Sequence, residues 1–195
     1  NRQQWRMSWL YTGTFGSFIG LAVGLPMLLS SQFPGADALR YAWALPLAGA
    51  LVRPVGGWLS DRVGGAKITL WVFVVMTAAP LYAAACLPAA GSGGNLTGFL
   101  LAFLAMFIAA GVGNGSTFRM IPIIFRTLRE RGVANANDAA AMEEARRIGA
   151  AEGAATLGFS SAVAALGAFY IPVAYGWSIG STGSAFVALI CFAVF

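Results

Sequence analysis

Long uninterrupted apolar runs constrain this chain more than any other feature of it. Five of them, at residues 8–29, 41–59, 68–87, 97–125 and 154–175, are long enough to cross a bilayer. A membrane-spanning helix needs about 20 such residues at 1.5 Å each. In hydrocarbon every backbone N–H and C=O must be satisfied internally, so only helices and closed barrels span. Barrel strands alternate apolar and polar residues, and these runs do not. The chain is 58% hydrophobic and 10% charged, where soluble domains carry about 25% charge. These features predict an all-α polytopic membrane protein. A sixth run, 184–195, has twelve residues, too few to cross, so the chain is expected to stop inside a sixth helix. The start, NRQQWRMSWLY, has no initiator Met and no signal peptide, and suggests the middle of a longer protein.

Basic residues orient the spans. Arg2 and Arg6 precede the first. Arg62 and Lys67 join the second to the third. Arg119, Arg126, Arg129, Arg131, Arg146 and Arg147 lie at or within the connection from the fourth to the fifth. Only Arg40 sits on the other side. The N-terminus and these two connections are therefore expected in the cytoplasm, with the protein in the cytoplasmic (inner) membrane. The long connection, 126–153, predicts a helix capped by Asn137 or Asp138 and lying on the membrane surface, in contact with anionic lipid.

Arg53 breaks the apolar pattern. It lies about twelve residues into YAWALPLAGALVRPVGGW, roughly 18 Å deep at 1.5 Å per residue. A charge there is costly and usually functional. Arginine stays protonated, and its planar fork of donors fits a planar anion. The alternative is a salt bridge between helices, but no acidic residue lies inside any of the runs. An anion-binding role is the better reading.

Other motifs describe packing. The turn GGWLSDRVGGAK holds Gly57, Asp61, Arg62 and Gly64. Its glycines permit a tight approach, and Asp61 can cap the next helix or pair with a cationic neighbour. In the first run Gly16, Gly20 and Gly24 share a face, as do Tyr11 and Phe15. The fourth run carries GVGNGSTFR, in which Gly111, Gly113 and Gly115 surround Asn114. That cluster permits close contact and bending, while Arg119 is read as snorkelling to the interface. In the fifth run Gly158, Ser161, Ala165 and Ala168 form a small-residue strip, for packing or for a small ligand. Cys86 and Cys191 read as apolar fillers. There is no histidine. No nucleophile–base pair, metal cluster, cofactor motif or nucleic-acid signature appears, so an enzyme is disfavoured.

The turn motif G-x-x-x-D-R-x-G-G-A-K, with Arg53 before it, GVGNGSTF and GFSSAVAALGAFYIP, resembles the C-terminal half of a NarK-type nitrate/nitrite porter of the major facilitator superfamily. The resemblance implies one half-domain over 1–195, helices seven to twelve of a twelve-helix fold, the last incomplete. It implies nitrate and nitrite as substrates, and a missing N-terminal half that supplies a second arginine. Residue by residue, Arg53 matches the family's anion-binding arginine, Tyr11 a tyrosine contacting the anion, and Phe15 an aromatic packing over it. Ser161 and Ala165 match the signature strip beside the site. Asn114 and its glycines match the mobile part of the tenth helix. Ala164 and Ala168 depart from positions that are often glycine, and Arg119 from one that is uncharged in some members.

Overall fold

The computed structural model describes residues 2–88, 93–133 and 138–194, and among these every regular element is helical. The first apolar run forms one rod, Arg2–Gln32. It comprises α1 (Arg2–Tyr11), a wider π-helical turn at Thr12–Gly16, and α2 (Ser17–Gln32). Then come α3 (Ala38–Leu59), capped by the Asp37 side chain on the Arg40 N–H, and a second π-turn at Ser60–Gly64. They are followed by α4 (Gly65–Ala85), α5 (Leu96–Glu130), α6 (Ala139–Ala165), α7 (Gly167–Thr182) and α8 (Phe186–Val194).

Helical hydrogen bonding runs almost unbroken from Ala38 to Ala85, 48 residues, yet this stretch is two spans. Gly64 takes φ +98°, a conformation open chiefly to glycine. Packing against α5 shows the reversal. Gly49 sits at Phe107 and Gly111, and Gly57 at Gly115, so α3 and α5 run in the same direction. Gly65 sits at Met120, Gly113 at Val72 and Gly98 at Cys86, so α4 runs the opposite way.

Helix α5 is the hub. Phe99, Phe103, Met106 and Phe107 on it are fully buried, together with Leu21, Leu25, Leu28 and Leu29 of α2. Burying each such side chain stabilises by about 1.5–3 kcal/mol in water, less where lipid is the alternative. Phe33, Phe99 and Phe103 stack with ring centroids 5.1 and 4.6 Å apart. Outward faces carry Leu70, Trp71, Val74, Phe169, Tyr170 and Val173 exposed.

The fifth span is longer than its apolar run. Helices α6 and α7 form one rod over residues 139–182, interrupted only at Leu166. That rod runs alongside the first in the same direction. Ser160 donates to Ser8 at 2.8 Å, Gly16 lies against Ala164, Gly20 against Gly167 and Ile171, and Gly24 against Tyr175. The glycine face of the first run therefore packs on a neighbouring helix, as its spacing predicts.

Two expectations are corrected. The polar segment after α5 does not form a separate helix lying on the membrane surface. Asp138 caps it, accepting from the Ala140 and Ala141 N–H groups, but the helix continues straight into the span; Asn137 lies outside the described residues. Ion pairs hold it to the end of α5: Arg129 with Glu152, and Glu130 between Arg126 and Arg146. Second, the strip Gly158, Ser161, Ala165 and Ala168 is not the packing face. No atom outside its own helix would meet a Cβ at Gly158, and Ala165 is exposed. The buried strip is Gly149, Gly153, Thr156, Ser160 and Ala164, which is equally small and helically spaced.

Candidate functional site

Arg53 is on α3 at the point where Gly115 of α5 comes closest. The Arg53 carbonyl fills the space that a Cβ on Gly115 would take. The glycine cluster around Asn114 thus sets the approach of three elements. Gly111 admits Gly49 of α3, Gly115 admits Arg53, and Gly113 admits Thr14 of the first π-turn and Val72 of α4. Close contact, expected from the sequence, is what these glycines provide; α5 passes through them unbroken.

The guanidinium is held by aromatic faces. Its carbon lies 5.4 Å from the Phe15 ring centroid and 4.9 Å from that of Phe18. Cation–π contact of this kind is worth about 0.5–2 kcal/mol. Phe15 packs on Tyr11 at 5.4 Å, and Tyr11 is 3% exposed. Phe18 meets Phe107 edge to face at 5.6 Å and lies against Gly49. Phe18 is the site residue that sequence reasoning missed. The signal was there: Phe15 and Phe18 are three apart and bracket a glycine, but the intervening π-turn hides which face they share.

No carboxylate pairs with Arg53 in any ion pair among the described residues. Its Nε is buried with no hydrogen-bond partner, and so is the Asn114 Nδ2. Both residues line one cavity of about 670 Å³, which also reaches Tyr11, Phe15, Gly57, Trp58, Asp61, Gly115, Phe118 and Arg119. Buried donors left without acceptors cost about 1–3 kcal/mol each. The first π-turn forms one wall of this neighbourhood. There Thr14 bonds back to the Leu10 and Tyr11 carbonyls and touches the Thr117 hydroxyl at 3.5 Å. Such turns concentrate at functional sites.

The structure gathers Arg53, Tyr11, Phe15, Asn114, Gly57, Asp61 and Gly115 around this cavity. It does not bring Ser161 or Ala165 there: Ser161 donates to the Leu157 carbonyl of its own helix, and Ala165 faces away from the chain. In the turn, Arg62 stacks on Trp58 at 4.2 Å. Arg119 reaches toward the Ser60–Gly64 turn. It lines the cavity and forks onto Asp61, Nη2 to Oδ2 at 3.0 Å and Nε to Oδ1 at 3.3 Å.

No protein-family model matches the chain. Curated proteins do. The nitrate/nitrite transporter NarU of Escherichia coli is 43% identical over 193 residues, 98% of this chain and 41% of the relative. The probable nitrate/nitrite antiporter NarK2 of Thermus thermophilus is 32% identical, over 94% of this chain and 37% of its own length. The nitrite extrusion protein of Bacillus subtilis is 28% identical over 69% of this chain and 32% of its own. The chain thus spans about two-fifths of the length of the relatives it matches, and they are named as transporters rather than enzymes. This likeness to part of the NarK-type nitrate/nitrite porters runs through almost every residue of the chain, from the first rod to α8.

Proposed function

We infer that this chain is the C-terminal six-helix half of a major facilitator transporter that moves nitrate and nitrite across the inner membrane. Transport proceeds by rocking against an N-terminal half, with the anion held at Arg53 between the two. The supporting observation is the pair of buried, unpartnered donors, Arg53 Nε and Asn114 Nδ2, lining one cavity. A planar oxyanion offers the acceptors that these donors lack within the chain. Aromatic faces on Phe15 and Phe18 orient the fork without neutralising it. Tyr11 and Phe15 line the cavity beside Arg53. The apolar runs hold no acidic side chain to carry a proton, so within this half anion exchange is favoured over a carboxylate relay.

The alternative reading keeps the fold and changes the substrate to another small anion. The test is nitrate binding by the purified full-length protein, beside its melting temperature, with nitrite, chloride and formate as competitors. Arg53→Lys keeps the charge and loses the fork, so nitrate affinity falls severely while the protein stays folded. Arg53→Ala abolishes binding. Retained nitrate affinity in Arg53→Lys with a large loss of thermal stability rejects the binding role. Chloride or formate displacing nitrate at equal concentration favours the alternative.

A further inference from the structure

We propose that Arg119 and Asp61 form a second anion station, a staging subsite at the Gly64 end of the cavity that contains Arg53. The proposal rests on the anion-binding reading of Arg53 and adds to it a place where the ion pauses.

The two arginines line one continuous cavity. Arg53, Gly57 and Asp61 follow one another at four-residue steps along α3 and its π-turn, with Gly115 and then Arg119 opposite. Eight residues separate Arg53 from Asp61, about 12 Å at the helical rise. A cavity of about 670 Å³ is far larger than one four-atom anion needs, and its second cation lies at the turn end.

The chemistry of the pair indicates what it binds. Arg119 grips Asp61 through two donors, Nη2 and Nε. A carboxylate offers two oxygens on a planar centre, and so do nitrate and nitrite. The fork that fits Asp61 therefore fits the transported ion, and Asp61 stands in for it when the station is empty. The exchange costs little. The two side chains are 60% and 42% exposed, so their attraction is screened and weak. Arg53 has no such internal competitor. Arg53 is thus the committed site, and Arg119 a shared one whose dwell time Asp61 keeps short.

The test uses full-length protein in vesicles, with nitrate counterflow assayed from the face that carries Lys67. Equilibrium nitrate binding and melting temperature are measured beside it. Arg119→Gln should raise KM on that face about tenfold, the loss of one charge-assisted contact, while equilibrium affinity stays within about twofold. Arg119→Lys should fall between. Asp61→Asn removes the competitor and should lower both KM and turnover. Wild-type KM and turnover in the charge-reversed double variant, Arg119→Asp with Asp61→Arg, would overturn the proposal and leave the pair a structural clasp. Arg53→Lys separates the two readings. If it binds nitrate normally, the anion assignment of the whole cavity fails. If it loses binding while Arg119→Gln keeps its KM, the staging subsite alone fails.

Discussion

The Arg53 carbonyl and the Gly115 Cα meet with no side chain between them. The position of the half-buried cation is therefore set by a backbone-to-backbone contact between α3 and α5. Gly115→Ala adds one methyl where the neighbouring atom is backbone and cannot swing aside. Overpacking of this kind costs about 1–3 kcal/mol. Gly115→Ala should lower the melting temperature and weaken nitrate binding together, whereas Gly57→Ala, with its nearest outside atom 3.6 Å away, should change both far less. Equal, small effects from the two variants would show that the helices part without moving the site.

Gly20 makes the same point for the two long rods. A Cβ there would stand 2.6 Å from the Gly167 carbonyl and 2.4–2.7 Å from Ile171 side-chain atoms. Gly20→Leu should sharply reduce folded, membrane-inserted protein or block the transport cycle. Fluorescence-detected size exclusion and counterflow measure these outcomes. Wild-type yield and transport would place this face toward lipid.

Asn114 differs from aspartate by one atom group, which allows an isosteric test of charge at the site. Asn114→Asp puts a carboxylate into the cavity of Arg53. It should lower nitrate affinity at neutral pH by at least about tenfold, the scale of a lost charge-assisted contact with added repulsion. Affinity should recover in part as pH falls and the new carboxyl protonates. Unchanged affinity at neutral pH would remove Asn114 from the site.

The charged clamp between α5 and α6 carries a pH dependence. Hydrogen bonds from Arg146 and then Arg126 hold the Glu130 carboxyl below its ordinary range. A depressed carboxylate stabilises the fold above its unfolded pKa, and the contribution fades as pH falls through the folded value. Melting temperature should therefore drop on acidification below the ordinary glutamate range, near pH 4.5. The drop should be smaller in Glu130→Gln and at high salt, because both arginines are exposed and Glu130 is only half-buried.

Orientation follows from the basic side chains. Lys67 lies just after the Gly64 turn, and Arg129 at the end of α5 that Gly65 meets near Met120. In a background lacking Cys86 and Cys191, single cysteines at 67 and 129 should be labelled only from the cytoplasm. Labelling of either from outside intact cells would invert the assignment.

The spans and the central cation were readable in the sequence because both depend on local composition. A run of 20 apolar residues and a lone Arg53 inside it need no tertiary information. Close packing was readable at Gly16, Gly20 and Gly24, because a four-residue repeat defines a face. The fifth span misled for the same reason: it carries two small-residue strips, and only contact with α5 and the first rod selects the one through Gly153 and Ser160. The Arg119–Asp61 pair was hidden by 58 residues of separation. Phe18 was hidden by the π-turn at Thr12–Gly16, which no apolar periodicity betrays.

That turn has a consequence for how the first rod is read. A π-turn holds one residue more than an α-turn, which rotates everything after it by about 100°. The rod consequently has two phases. Tyr11 belongs to the phase before the turn, and Gly20 and Gly24 to the phase after it. A helical wheel drawn through all of Arg2–Gln32 superimposes faces that are turned apart in space. Deleting a single residue between Thr12 and Gly16 would turn the π-turn into an ordinary α-turn, so both ends of the rod would keep their present neighbours and one wheel would describe all of it.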